Sequence, residues 1–392
     1  KAIEGQNLCL FHAPPEDKCP DQVIEEIHAK MVQAKKIDNP EERKELLQFI
    51  GARFGAIKFE GTTVNGIGDT PLNLKHARFE GEVKLSDVDI YQPVELHGSR
   101  WRKKAEFQNV IFGERTVFLD TVFNNGASFR DSTFKRFVDF NAGFKEEADF
   151  ESVVFDNEET YFRYAEFDSS ARFYHATFHG ESSFRSAEFR DKADFADVTF
   201  TEPVTYRYAT FSGEVTFRFG NLKEVEFFNA TFKRRADFAS TFEEDADFKQ
   251  ATFEDTGEFA KATFCSSVDF SEATLSEADL EKIEPSSVTF EDANLREATL
   301  EGSDLSNANF ERSILTWTNL FGTNLDKAKL YGANLTDAYV NEETNFGTHY
   351  EREGDWEKAR WTYRNIENLA RDSAQPEEVR RVYVRRKDIY RR

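Results

Sequence analysis

The sequence predicts an all-β solenoid: a chain wound as a square coil of short parallel strands, closed by a small helical cap at each end. Three observations carry that expectation. Large apolar residues recur at alternating steps of five and six, through Phe107, Phe112, Phe118, Phe123, Phe129, Phe134 and Phe140. The same beat runs from Phe167 through Phe173, Phe178, Phe184, Phe189, Phe195, Phe200, Tyr206 and Phe211 to Phe217. Two residues before these stand small or β-branched residues such as Ala105, Val110, Ala165, Ala171, Ala176 and Ala187, while the positions between are charged or polar, as in Ala193-Asp194-Phe195-Ala196-Asp197. One five-step and one six-step make a repeat that fits neither the helical period nor plain strand alternation, and a fixed repeat is the mark of a solenoid.

The geometry follows from the repeat. The large residue and the small one two positions earlier point inward, a corner follows, and four such faces close one coil. Two repeats therefore make a coil, which is shorter where every step is a five. Coils stacked at the strand spacing of about 4.8 Å place the rings in columns. Each Phe can bury roughly 150–250 Å² in such a column, so the columns are the core.

In chain order, residues 1–50 form an N-terminal Cys/His segment and helical cap. Val23, Ile24, Ile27 and Met31 lie on one helix face, with Asp21 as its cap. Asn39-Pro40-Glu41-Glu42 reads as a second helix start, with a capping Asn, Pro in the first position and acids in the first turn. Residues 51–348 form the coils. Asn65-Gly66-Ile67-Gly68-Asp69-Thr70-Pro71 interrupts them as a loop, and lacks the Gly-Lys-Ser/Thr ending of a phosphate loop. Three slips occur: Phe140 to Phe150, Phe238 to Phe248 and Phe155 to Phe167. They read as corners with one residue more or fewer, with kinks or ligand notches as the alternative. Pro285 stands where an inward Leu is due, and from about Leu275 the step is a strict five with Leu replacing Phe, which predicts a narrower coil. Residues 349–392 read as a helical hairpin, with Trp356, Ala359, Tyr363, Ile366 and Ala370 on one face and Gln375-Pro376 restarting a second helix. The opening Lys1 and the single Met31 lead to the expectation of a processed or trimmed chain with segments absent at either end.

The triplets Ala273-Thr274-Leu275, Ala278-Asp279-Leu280, Ala293-Asn294-Leu295, Ala298-Thr299-Leu300, Ala308-Asn309-Phe310 and Ala333-Asn334-Leu335 resemble the A-(D/N)-L-x-x signature of pentapeptide repeat proteins. The resemblance covers about residues 52–346 and implies a right-handed quadrilateral β-helix. The Phe-rich variant, with its alternating steps, departs from the plain pentapeptide, and a fold of this kind hosts many functions.

The formal net charge is −22, which points away from direct nucleic-acid binding and suits a soluble, acid-coated solenoid in the cytoplasm. Residues 351–392 run against this, with 12 Lys/Arg and 9 Asp/Glu, whereas the remainder has 39 and 64. Outward Ser, His and Asp at repeat spacing form no catalytic constellation, so the expectation is that the chain is not an enzyme and needs no cofactor. Cys9, His12 and Cys19, with His28 or an upstream residue as a fourth ligand, are a candidate zinc set. The alternative is cysteine as a small buried hydrophobe. Some archaeal members of the resembled family look similar here.

Two surface patterns are candidates for partner binding. Arg163, Arg185 and Arg207 recur at the spacing of one coil, so they stack, with Tyr164 and Tyr208 beside two of them. Such a guanidinium column suits a carboxylate or phosphate partner. The alternative is that Glu166 and Glu188, at the same spacing, form a neighbouring row that neutralises it. Arg380, Arg381, Arg385, Arg386 and Lys387 crowd the C-terminal hairpin and suit an anionic protein or membrane surface, or else docking onto the acidic coils.

Two functions follow. The first is a non-enzymatic rigid scaffold for a protein partner, at the cytosolic face of a membrane where the hairpin resembles one that precedes an ion-channel segment in some family members (Tyr363-Arg364, Ala370-Arg371). The second, implied by resemblance to the quinolone-resistance members, is a dimeric DNA mimic that occupies the DNA saddle of gyrase. The basic hairpin argues against the second.

Overall fold

The computed structural model describes residues 11–14, 16, 20–64, 69–347, 349–372, 381, 383, 384, 386 and 387. The chain divides into two compact units, 1–203 and 204–392, and each is a right-handed, four-faced coil of parallel strands. The strands are two to four residues long, and in the four long sheets nearly every one pairs with the strand four further along the chain, which is one coil on.

In the first unit the register advances by two repeats per coil: Ala105 pairs with Val83 on one side and Ala127 on the other, and Phe112 with Ile90 and Phe134. The inward rings stack as the repeat predicts. Phe140, Phe162 and Phe184 lie face to face at 4.9 and 4.8 Å, and Phe150 meets Phe162 edge-on at 5.2 Å. The slips are absorbed without a break. Phe144 is the inward ring between Phe140 and Phe150, and Phe162 that between Phe155 and Phe167. The coil from Phe134 to its partner Phe155 is therefore one position shorter than its neighbours, and that from Phe155 to Phe178 one position longer. Where Ser or Thr takes the small inward position, its hydroxyl stays satisfied: Ser132 donates to the Phe107 carbonyl at 2.9 Å and Thr121 to that of Leu96 at 2.8 Å.

The corners explain the alternation of five and six. In the first unit, from Leu74 onward, each step of five carries a left-handed residue two after the inward one, as at His76, Asp87, Gly98, Asn109, Asp120 and Asp131. The steps of six turn without one, apart from Gly126 between Phe123 and Phe129. In the second unit that device recurs at every step from Asp292 to Asp337, and the register there shortens by two positions, as in Asn294 with Ile314 and Ile314 with Asn334. Pro285 is not an inward residue: Ile283 is fully buried in its place, and Pro285 sits partly exposed where the chain turns toward Ser287–Thr289.

Helix α1 (Pro20–Ala34) and helix α2 (Pro40–Leu46) precede the first coil, with Asn39 accepting from the Glu41 N–H at 3.0 Å as the cap of α2. Met31, Ala34 and Leu47 form a small core against Ile27, Leu46 and Val64. In the second unit α3 (Tyr350–Glu353) and α4 (Trp356–Asp372) follow the last strand, and Ala359, Tyr363, Ile366, Leu369 and Ala370 are buried. Tyr350 locks them to the coils by donating to Glu311 at 2.7 Å, where Lys358 also reaches at 3.1 Å. Most of the second helix expected from Gln375 lies outside the described residues, and the described positions 381, 383, 384, 386 and 387 are helical.

Candidate functional site

Where the inward positions are filled by rings, outward positions are where a coil of this kind can recognise a partner. Aromatic residues off the inward beat are therefore informative, and Phe137, Tyr161 and Phe228 are such residues. In the first unit Phe137 and Tyr161 build a ladder with two arginines. Arg115 lies over the Phe137 ring at 5.5 Å, Phe137 meets Tyr161 edge-on at 5.1 Å, and Arg163 lies over Tyr161 at 3.6 Å. Cation–π contacts at exposed sites contribute roughly 0.5–1 kcal/mol each, enough to orient these side chains. Asp139 sits half-buried beside them and accepts from the Asn141 N–H at 2.9 Å. Burial pushes its carboxyl above the usual aspartate value, opposed by that N–H and by Arg163 and Arg115. Burial also raises the Tyr161 phenol, with Glu159 acting in the same direction.

Next to the ladder is a polar cleft of about 580 Å³. It is made by the wide corners stacked here, and the long step from Phe155 to Phe162 pushes Asp156, Asn157, Glu158 and Glu159 outward. Arg115, Lys135, Arg136 and His179 line it with Glu114 and these residues. Gly180 is required by the bulge: a Cβ there would lie 2.1 Å from the Asn157 carbonyl oxygen and 2.4 Å from Glu158 backbone atoms. Arrays of mixed charge and aromatic faces bind peptides and anionic groups.

Among the sequence-predicted residues, Arg163 and Arg185 do occupy equivalent positions on successive coils, since Glu159, Thr160 and Tyr161 register with Glu181, Ser182 and Ser183. Tyr164 is 58% exposed at a left-handed corner. Arg207, in the second unit, repeats the device, lying over Phe228 at 4.6 Å and pairing with Glu226 at 3.7 Å, with Tyr208 edge-on to Phe228 at 5.7 Å. Glu166 and Glu188 do register as a row, but the cations that meet it are Lys145 and Arg190, at 3.6 and 3.3 Å from Glu166, and Arg190 at 2.8 Å from Glu188. The expected neutralisation of Arg163 by that row is corrected accordingly: Arg163 turns onto Tyr161.

The C-terminal cations are also corrected in part. Arg381 donates to the Phe346 carbonyl at 3.0 Å, and Arg386 pairs at 3.0 Å with Glu367, which is 2% exposed and is also held by Arg371. Both contacts are within the chain: one ties Arg381 to the last strand, the other ties Arg386 to α4. Lys387 is exposed beside the Tyr383 ring, and Arg380 and Arg385 lie outside the described residues. Cys9 and Cys19 also lie outside them, while His12 places Nε2 3.0 Å from the Ile50 carbonyl. Among the described residues no three His, Cys, Asp or Glu side chains gather as a metal site, and no helix is long and apolar enough to cross a membrane.

Sequence reasoning missed Arg115, Phe137, Tyr161, Lys135, Arg136 and His179. The signal was present: an aromatic out of the inward beat, beside the longest slip.

The family models for pentapeptide repeats match residues 140–188, 173–220, 290–326 and 300–337. A search of curated proteins finds no significant match. Similar solved structures include HetL, a pentapeptide repeat protein involved in heterocyst differentiation regulation from the cyanobacterium Nostoc sp., at 18% identity over 74% of this chain and 94% of that one, TM-score 0.23. Two structures of QnrB1, a plasmid-mediated fluoroquinolone resistance protein, are also similar. The trypsin-treated form has 19% identity over 53% of this chain and 88% of that one (TM-score 0.21), and the full-length form 14% over 74% and 94% (TM-score 0.19).

Proposed function

We propose that this chain, whose residues 140–220 and 290–337 match pentapeptide repeat models, is a non-enzymatic scaffold whose coils hold a surface for a protein partner. The observation that supports the reading is the Arg115–Phe137–Tyr161–Arg163 ladder beside its cleft. Stacked rings fix the backbone beneath these side chains, so the ladder is presented with little ordering cost, the condition for tight docking. Exposed aromatic and Arg residues are the types that dominate interface energies. The partner best matched to it carries carboxylates and an aromatic or aliphatic anchor. A photo-crosslinking residue placed at position 164 in the native cell should yield a discrete adduct that a probe at position 229 does not. Arg163→Glu should abolish that adduct. The same adducts from both positions, or persistence with Arg163→Glu, would refute the reading.

A second reading, DNA mimicry, is favoured by one observation in the second unit. Glu226, Asp247 and Asp269 register on successive coils, stacking three carboxylates at strand spacing of about 4.8 Å. Inhibition of gyrase supercoiling that is lost when these three are replaced by their amides would support it over the scaffold alone.

A further inference from the structure

The first unit contains an apolar cavity of about 560 Å³ between α1 and the opening coils. Its position follows from the sequence. In the coils that pair through residues 83–106 the spacing is the wide one, with left-handed corners only at every second step, so the lumen is as wide as where four rings fill it. The inward residues here are smaller. Leu85 registers with Phe107, and Ile90 with Phe112. Leu74 and Leu96 are likewise the inward residues of their faces, and Phe107, Phe112 and Phe118 line the deep end. Trp101 supplies a full-sized inward ring to that coil, stacked on Phe79 at 3.8 Å. On the faces of Leu85, Ile90 and Leu96 the wide coil is built for rings that the chain does not supply.

Met31, Ile27 and Val23 of α1 cover the space, and the lining reaches solvent at Glu25, His28, Val32 and Lys35. A cavity of this size lies within the range of small-molecule sites, roughly 300–1,000 Å³, and well above the roughly 150 Å³ apolar void that stays dry and accepts benzene. The walls are aliphatic and aromatic, and Lys35, the residue after α1 ends at Ala34, is exposed where the lining reaches solvent, its N–H donating to the Met31 carbonyl at 3.1 Å.

We infer that this cavity is a binding site for a long-chain carboxylate of the fatty-acid class, its chain in the lumen of the first coils and its carboxylate at Lys35. A flexible unbranched chain fits an axial space between Leu and Ile side chains, and burying it removes apolar area from water at roughly 25 cal/mol per Å². The ring-filled coils below set the depth.

The register also supplies the test. Leu85→Phe and Ile90→Phe install the rings that the next coil already carries at the same positions, so they fill the cavity within a geometry known to accept them. The intact chain is titrated with cis-parinaric acid, whose fluorescence rises in an apolar site, and the probe is displaced with palmitic acid and with hexadecanol. Saturable binding with displacement by palmitate is expected. The double variant should lose binding at least tenfold while its circular dichroism is kept and its melting temperature is equal or higher. Lys35→Glu should weaken palmitate at least threefold and leave hexadecanol unchanged. Absence of saturable binding to the native chain overturns the proposal, as does a folded double variant that binds as before. If the double variant fails to fold, Leu85→Phe alone and the Lys35→Glu palmitate-to-alcohol ratio decide it. An unchanged ratio refutes the placement of the carboxylate.

Discussion

Replacing Phe162 by Ala tests the core at its most constrained point. The ring is fully buried, stacked on Phe140 and Phe184 at interplanar angles of 9° and 3°, and edge-on to Phe150 and Phe173 at 5.2 and 5.3 Å. Removing a buried Phe costs roughly 3–5 kcal/mol, the larger values belonging to sites that cannot collapse. This site cannot: its neighbours are held by strand pairing on every face, and each of two stacked contacts adds about 0.5–1.5 kcal/mol beyond area. A cost of about 5 kcal/mol is therefore expected, comparable with the whole stability of a small domain. Because a solenoid is stabilised by nearest-neighbour interfaces, the loss should spread along the coil and not stay local. Hydrogen exchange by mass spectrometry on the intact chain reads this directly, as lost protection in the peptides around Phe140, Phe162 and Phe184. An unchanged denaturation midpoint, or deprotection confined to residues 160–164, would refute the inward register or the coupling.

Three further outcomes are expected. Asp247→Asn should stabilise the chain at neutral pH. Burial, then Asp269 and Glu226, raise the Asp247 carboxyl above its unfolded value, so the ionised form opposes folding, and the native chain should gain stability as pH falls from neutral through that raised value; Asn keeps the acceptor for the Lys249 N–H (2.8 Å) and should flatten the pH profile of thermal unfolding there. Gly180→Ala should cost on the order of 1–3 kcal/mol and raise exchange at 156–160, because its Cβ meets backbone at Asn157 and Glu158, whereas Gly143→Ala, whose nearest neighbour is the Lys145 side chain at 3.9 Å, should not move those peptides. Arg386→Ala should lower the melting temperature by leaving buried Glu367 with Arg371 alone, a loss of about 1–3 kcal/mol, while Lys387→Ala should have no measurable effect; equal melting of the two variants would show that Arg386 is not part of the cap.

The coil was legible because its period is set by backbone geometry and its inward residues are almost uniform. Phe107 and Phe195 could be assigned inward from spacing alone, and both are buried. The Asn39-Pro40 helix start was legible for the same reason, since a cap needs a residue type at a fixed position. The candidate site was less so. Arg163 was found by counting along one coil, but its neighbours Arg115 and Phe137 belong to a corner whose shape depends on how long each step is, and spacing gives length without direction. The ion pairs were not legible at all. Glu166 has Lys145, Arg163 and Arg190 within reach by register, and only side-chain packing decides that it meets Lys145 and Arg190.

Corner type and side-chain size are a single choice in this chain. A left-handed residue other than glycine costs roughly 1–2 kcal/mol, yet Asp87, Asn109, Tyr164, His175 and many others adopt it. The compensation is visible at such corners: the N–H of His76 donates to the His97 carbonyl at 2.8 Å, that of Asn109 to Arg130 at 3.0 Å, and that of Tyr164 to Arg185 at 3.0 Å, so the ladder continues around the bend. One tight corner in two gives the wide coil, and four phenyl rings fill it. A tight corner at every step, as from Asp292 to Asp337, gives the narrow coil, and Leu295, Leu300, Leu305 and Leu320 fill that one without residual exposure. Residues 83–96 break the pairing, with wide corners and side chains of the narrow kind at Leu85, Ile90 and Leu96. The apolar cavity lies where that mismatch places it.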